Sequence, residues 1–403
     1  MNLILFDSIN LHTKLFPLTM TRPISKIRVG IYTIAERWEK LVGKNVSFMT
    51  VDYLQNKFAL NLAKENILIN GAIIPDKNIY NYVQSLQNNE GLFWDEIPLA
   101  IRVSDKKILQ LKKEWDLSFT KQIKYGKKVK KILQLSDIFQ INEFQIKEDI
   151  EAFTIALNHN KLDKHTICYS KNNIHVGKNT TIRASFLDAD EGPIFIDDEV
   201  IIQPGAIISG PCAILKGSVI SLGAKIRPNT TIGPYCKIGG EVSQVVFQGY
   251  SNKSHDGFLG SSVIGEWCNF GAGTNNSNLK NNYSEIKIWD YTEEKLMASG
   301  LQYFGLVMGD HSKCGINTMF NTGTIVGFSA NIYGGGYMPK FIPSYSWGSP
   351  ESFTTYQIDK ALSTAKIVMN RRSVGLRNDD EEIFKSIFHF TSKYRKTRYN
   401  HAI

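Results

Sequence analysis

Between residues 196 and 238 the chain repeats one pattern of hydrophobic and polar positions. Isoleucine stands at Ile196, Ile202, Ile208, Ile214, Ile220, Ile226, Ile232 and Ile238, every sixth residue without a slip. Four places after each of the first seven comes a compact residue: Val200, Ala206, Cys212, Ser218, Ala224, Thr230 and Cys236. Neither the helical period of about 3.6 nor the strand period of about 2 produces this spacing. A period of six predicts a short strand, a corner and a restart. Pro204-Gly205, Gly210-Pro211, Gly217, Gly223, Pro228-Asn229 and Gly233-Pro234 fall between the anchors, where corners demand backbone angles that β-branched residues resist. The chain is expected to wind a solenoid in which each isoleucine stacks over a counterpart from another coil.

The same reading extends along the chain. The repeats begin at Val176-Gly177 and Ile182, pause over residues 188–193, and loosen after Ile238. They resume at Ile264 and Phe270, break over residues 275–304, and run again through Met308, Cys314, Phe320, Val326 and Ile332. Gly334-Gly335-Gly336 and Pro339 are expected to end them. Upstream, residues 2–6 and 66–70 read as strands and residues 31–42 and 80–87 as helices, the alternation of an α/β layer fold. Four regions follow: an α/β domain at 1–132, a helical connection at 133–165, the solenoid at 166–348, and a helical tail at 349–403 with amphipathic stretches at 358–369 and 379–394.

Composition narrows the function classes. With 403 residues, 42% hydrophobic and 21% charged, the chain suits two globular domains. The net charge of +9 invites an anionic partner, and much of the excess lies in residues 121–131 and in the last residues. Those basic stretches lack interleaved stacking aromatics, so phosphate esters are expected rather than nucleic acid. Cys168, Cys212, Cys236, Cys268 and Cys314 form no CxxC pair, and four of them take repeat positions. They read as core packing in a reducing compartment. No window approaches a membrane span, residues 1–6 are too short for a signal segment, and a cytoplasmic protein is expected.

Two resemblances sharpen this picture. The hexads resemble those of the left-handed parallel β-helix, whose coil takes three hexads around a three-faced prism; the left hand is what the resemblance implies, since parallel crossovers are otherwise right-handed. Near the amino end, Lys14-Leu15-Phe16-Pro17-Leu18-Thr19 followed by Arg22-Pro23 resembles the start of sugar-nucleotide pyrophosphorylases. That family places a glycine-rich phosphate loop just before this segment and a metal aspartate, as Gly-Asp, after a later strand. Here Asp7-Ser8-Ile9-Asn10-Leu11-His12-Thr13 contains no glycine, and Asn70-Gly71 stands in the later position. The resemblance implies a short, divergent sugar nucleotidyltransferase-like domain. Asp7, Arg22, Lys26 and Arg28 would face the phosphates of UTP or another nucleoside triphosphate, and Asp76 would face Mg²⁺ if the domain is active. Weak pyrophosphorylase activity is expected.

The second resemblance is denser. His255-Asp256-Gly257-Phe258-Leu259-Gly260, then Ile264-Gly265, Asn269-Phe270-Gly271-Ala272-Gly273-Thr274 and Ser277-Asn278 resemble the acetyltransferase domain of bacterial enzymes that join glucosamine-1-phosphate N-acetyltransferase to N-acetylglucosamine-1-phosphate uridylyltransferase. The resemblance implies His255 as catalytic base. It implies Arg227, Asn269, Asn278, Lys253 and Lys280 as substrate contacts, and Ala272, Gly273, Asn278, Arg371 and Arg372 as contacts to acetyl-CoA. Phe258 stands where that family has a tyrosine, and Ser243 and Ser284 where it has lysines. The chemistry suits the residue types, because the amine must shed a proton and histidine is the side chain that accepts one near neutrality unaided. The implied function is N-acetylation of an amino-sugar phosphate, glucosamine 1-phosphate first, in UDP-N-acetylglucosamine formation for the cell envelope by a homotrimer. Another amino sugar or nucleotide sugar is the alternative acceptor; a non-catalytic trimeric scaffold is the alternative of a different class.

Overall fold

The computed structural model describes residues 2–111, 117–118, 120–153 and 162–399. The chain divides into two compact units: Met1–Leu15, Thr21–Ile27 and Tyr32–Gln134 form the first, and Phe16–Met20, Arg28–Ile31 and Leu135–Ile403 the second. The last part of the expected helical connection, at 154–161, lies outside the described residues.

The first unit is a six-stranded mixed sheet in the order Ser47–Met49, Asn2–Phe6, Glu65–Asn70, Ile97–Ser104, Glu90–Trp94 and Lys121–Lys124. Asn2–Phe6 runs parallel to both neighbours, with Phe6 opposite Met49 and Asn70. The helix expected over 31–42 spans Ile34–Val42. Thr33 stops it from starting earlier, because its hydroxyl accepts the Glu36 N–H while the Glu36 carboxylate accepts the Thr33 N–H, a reciprocal capping box. The helix expected over 80–87 spans Lys77–Ser85 instead, since Asp76 caps it by accepting the Ile79 N–H at 2.8 Å.

The second unit is a parallel β-helix. Ile202 pairs with Ile220 and Ile220 with Ile238, 18 residues apart each time, so one coil takes three hexads. The anchors Ile196, Ile202, Ile208, Ile214, Ile220, Ile226, Ile232 and Ile238 are all buried in one continuous core that also takes in Cys212, Cys236, Cys268 and Cys314. All five cysteines are free thiols, Cys168 half-buried. The pause at 188–193 is an enlarged corner, not a break, because Ile174 still pairs with Ile194 across it. The glycine triplet does not end the solenoid. Val326 pairs with Ile342 and Ile332 with Gly348, adding a coil that a purely six-residue count misses because its strands sit 16 residues on rather than 18.

Between Phe270 and Cys314, which are paired, the chain leaves the coil and returns. The excursion carries an antiparallel hairpin, Lys287–Asp290 with Lys295–Ala298. Trp289 stacks on Phe341 at 4.1 Å between centroids, and Tyr291 meets Phe341 and Tyr394 edge-on, so the hairpin is pinned to the solenoid and to the terminal helix Ser392–Tyr399. The tail folds as the helices Ile358–Asn370, Asn378–Phe390 and Ser392–Tyr399.

Segments from the start of the chain are built into this unit. The Gln248 amide grips the backbone of Arg28 in both directions, accepting its N–H at 2.7 Å and donating to its carbonyl at 3.2 Å. Gly30 N–H donates to Asn142 Oδ1, Ile31 N–H to the Asp149 carboxylate, and the Thr231 hydroxyl to Gly30 O or Asn142 Oδ1. Asn142 belongs to the helix Asn142–Ala152, whose neighbour Leu135–Gln140 is tied to the coil where Asn229 Nδ2 donates to Phe139 O. Every partner in this cluster is buried, and each backbone group finds a polar match, as burial demands.

Candidate functional site

One corner of the solenoid has an irregular profile. Four residues turn it between Ile220 and Lys225, two between Ile238 and Glu241, and four again between Lys253 and Phe258. His255 lies on the third of these turns and is exposed. Its corner therefore overhangs one that is two residues shorter, and the two pack closely: a Cβ on Gly239 would meet Ser254 O at 2.2 Å and one on Gly240 would meet Gly257 O at 2.6 Å. Gly257 has φ 123°, and a Cβ there would come within 2.0 Å of Thr274 O, so only glycine lets the His255 corner sit this close to the coil above.

That next coil carries the glycine-rich turn. Gly273 N–H donates to Asp256 O at 3.0 Å, which stacks Ala272-Gly273 over the His255 corner. Gly271 N–H goes to Cys314 O and Thr274 N–H to Gly271 O. Among the described residues, the Ala272 N–H donates to no protein acceptor, which marks it as the turn's available donor for a developing oxyanion. Phe258 N–H donates to Asn275 Oδ1 at 2.7 Å. A Cβ on Gly260 would meet the Phe258 ring at 2.5 Å and Asn278 Nδ2 at 2.8 Å, so ring and amide lie side by side over that glycine. Asn278 Nδ2 donates to Ser261 Oγ at 3.2 Å, and Asn269 Oδ1 accepts from Asn252 at 2.9 Å. The exposed Arg227 pairs with Glu241 at 3.1 Å, and Glu241 is the register partner of Phe258.

Other expected contacts fall elsewhere. Lys253 is not a surface cation: it pairs with Ile238 in the inner column, is 2% exposed, and donates to Gly239 O at 3.2 Å and His255 O at 3.0 Å. Burial lowers its pKa to about 8, against the opposing influence of Asp256 and Cys314. Its ammonium is thus spent on the corner and is withdrawn from the expected substrate contacts. Lys280 ties its own loop through Ser284 Oγ and Glu285 O. Arg371 is exposed at the end of its helix. The charge of Arg372 bears on Cys236, a thiol that burial pushes up to about 12, and Cys236 lies on a different corner from His255. The chain thus brings His255, Phe258, Ala272, Gly273 and Asn278 together, and leaves Arg372 apart from them.

In the first unit Asp7 ends the strand Asn2–Phe6, and its carboxylate is fully engaged. Oδ1 accepts the Ile24 N–H at 3.1 Å; Oδ2 accepts the Thr50 hydroxyl at 2.6 Å and lies 3.1 Å from His12 Nδ1. His12 Nε2 lies 3.5 Å from the Tyr53 hydroxyl, whose pKa is raised by burial and then by the Asp7 charge. Gly71 N–H donates to Phe6 O, and a Cβ on Gly71 would meet Asp7 Oδ1 at 3.1 Å, so the ends of the two parallel strands are closed against each other. Lys26 lies over the Phe48 ring at 5.1 Å and Arg22 is buried. Arg28 belongs to the second unit, where its guanidinium donates to Ile31 O. Asp76 Oδ1 accepts the Ile79 N–H as its helix cap, and among the described residues no three acidic, histidine or cysteine side chains group as metal ligands.

Sequence reading missed Asn275, the short Gly239-Gly240 corner and the inward turn of Lys253. The signal was present in the spacing: Lys253 comes 15 residues after Ile238, not 18, and the Gly-Gly pair marks where the count shortens.

A family model described as sugar nucleotidyl transferase matches residues 3–156, a region that runs past the first unit into the helices Leu135–Gln140 and Asn142–Ala152. A bifunctional sugar-1-phosphate nucleotidylyltransferase/acetyltransferase of Sulfurisphaera tokodaii is 34% identical over 178 residues, covering 44% of this chain and 42% of that protein. The bifunctional protein GlmU of Methanococcus aeolicus is 30% identical over 159 residues, covering 39% of this chain and 36% of its own length. The chain thus spans under half the length of these curated relatives. Among solved structures, UDP-N-acetylglucosamine acyltransferase from Campylobacter jejuni overlaps with 58% of this chain and 83% of its own at 13% identity and a TM-score of 0.26, too slight a likeness to bear on function. The chain is thus similar to the sugar nucleotidyl transferase family over residues 3–156 and, over less than half of its length, to bifunctional sugar-1-phosphate nucleotidylyltransferases/acetyltransferases.

Proposed function

We propose that the chain is an acetyl-CoA-dependent N-acetyltransferase acting on an amino-sugar phosphate, with glucosamine 1-phosphate as the first candidate. The observation that carries this reading is the stacking of an exposed His255 beneath the Ala272-Gly273 turn, joined by the Gly273 to Asp256 backbone bond. His255 accepts a proton from the attacking amine nitrogen as the C–N bond forms at the thioester carbonyl. The Ala272 N–H meets the oxyanion. Collapse of the tetrahedral intermediate breaks the C–S bond, and the coenzyme A thiolate leaves and takes up a proton. Asn278 and Asn269 offer amides to sugar hydroxyls, and the exposed face beside His255 takes the acceptor. Phe258 in place of a tyrosine removes one hydroxyl from the acceptor's surroundings, which supports acceptors other than glucosamine 1-phosphate as members of the same class. Assembly as a homotrimer and a cytoplasmic location belong to the same proposal; among the described residues, no helix is long and apolar enough to cross a membrane.

The closed ends of the parallel strands around Asp7 support a first unit with little nucleotidyl transfer of its own. The test of the main reading is free-thiol release by the full chain from acetyl-CoA in the presence of glucosamine 1-phosphate, glucosamine 6-phosphate, other amino-sugar phosphates and amino-sugar nucleotides. Turnover with at least one acceptor, well above acetyl-CoA hydrolysis, is expected. Turnover with none favours the non-catalytic scaffold.

A further inference from the structure

We infer that Lys253, a charged residue in the inner column of the solenoid, is a positioning residue that fixes the corner carrying His255. This rests on the reading of His255 as the base. Lys253 occupies a place where the column otherwise holds Ile202, Ile220 and Ile238 below it and, since Asn252 pairs with Asn269, Phe270 above it. An ammonium in such a column is costly unless its protons are matched. Here two of them go to corner carbonyls, Gly239 O and His255 O, on successive coils.

The site for that ammonium is built. Gly240 has φ 70°, and a Cβ there would come within 2.9 Å of Lys253 Nζ, so the glycine pair that shortens the lower corner also makes room for the charge. The ordinary corners close differently: Ala224 N–H returns to Ser221 O and Thr274 N–H to Gly271 O. At the His255 corner the lysine supplies the link, from inside the coil, to the carbonyl of the very residue whose side chain projects outward. One residue therefore determines where the imidazole stands. Asp256 on the same corner and Cys314, two coils up the same column, are the other titratable groups acting on the ammonium.

The experiment follows His255 directly as well as turnover. The full chain is labelled with ¹³Cε1-histidine, the His255 signal is assigned by its loss in His255→Ala, and its position and line width are compared at one pH in wild type, Lys253→Met and Lys253→Gln. The signal is expected to move and broaden in Lys253→Met as the corner loosens, and to return toward wild type in Lys253→Gln, which keeps a donor. In thiol release from acetyl-CoA, Lys253→Met is expected to lower kcat by about 10- to 100-fold with KM little changed, and Lys253→Gln to recover part of that loss. An unchanged His255 signal in a folded Lys253→Met variant overturns the proposal while leaving the base assignment intact. Wild-type turnover by His255→Ala removes the base assignment instead, and the signal still reports the corner.

Discussion

With His255 proposed as the base, its removal has a definite expected cost. A positioned base contributes about 10²- to 10⁴-fold in rate, so His255→Ala should lower kcat by that order while acetyl-CoA binding holds. Steady-state thiol release on an accepted amino-sugar phosphate checks this, and turnover equal to wild type would place the proton acceptor elsewhere. Lys253 makes a second prediction, on stability. Its folded pKa lies near 8 against an ordinary 10.5, so between these values the unfolded chain binds the proton that the folded one has released. Its contribution to stability therefore rises with pH through that window and is flat below it. Denaturant midpoints of wild type and Lys253→Met should differ in their pH dependence there and run parallel at lower pH. The motif around His255 was legible because its residue types and spacing are unusual. The burial of Lys253 was not, because a lysine between two serines and an asparagine reads as surface until the shortened corner below it is counted.

At the scale of elements, the hexad is a statement about burial. Ile208, Ile214, Ile220 and Ile226 are fully buried, each in register with neighbours one coil above and below. Alanine at any one of them should cost about 2 to 5 kcal/mol, because the rungs on either side cannot collapse into the gap. Equilibrium denaturation is the measurement, and four near-neutral results would contradict a continuous core. Solenoid strands were predictable since their register repeats. Elements fixed by a single polar contact were not: the helices at Ile34–Val42 and Lys77–Ser85 begin where Thr33 and Asp76 cap them, positions that hydrophobic spacing alone does not mark. The last coil was missed for a related reason, since Tyr333 to Pro339 look like a terminus while Phe341 and Ile342 quietly rejoin the stack.

At the scale of the whole molecule, the region matching sugar nucleotidyl transferases contributes to both compact units. Arg28 illustrates what this does to chemistry: its Nη1 donates to Ile31 O and its backbone is held by Gln248, so a phosphate would have to displace protein contacts to reach it. The full chain is accordingly expected to release pyrophosphate from UTP and a sugar 1-phosphate only feebly with Mg²⁺. Robust release in a coupled phosphate assay would show that Asp7 breaks its bonds to Ile24 and Thr50 when nucleotide binds. Gln248→Ala should destabilise the solenoid unit by about 1 to 3 kcal/mol, because it orphans a buried N–H and a buried carbonyl at once. Chemical denaturation followed by a solenoid reporter such as Trp267, stacked on Tyr250 at 4.2 Å, measures it.

The bond between Arg28 and Gln248 spans 220 residues of sequence. A ribosome adding about 5 to 20 residues per second needs roughly 10 to 40 seconds to make the second partner after the first. Through that interval the segment around Arg28 has emerged without the coil that will hold it, and Val29 and Ile31, both buried at the end, wait in water. Synthesis thus sets a schedule in which the first segment out is among the last to settle. A nascent chain halted before Gln248 should be cleaved by protease within residues 16–31, and one released beyond that point should be protected there.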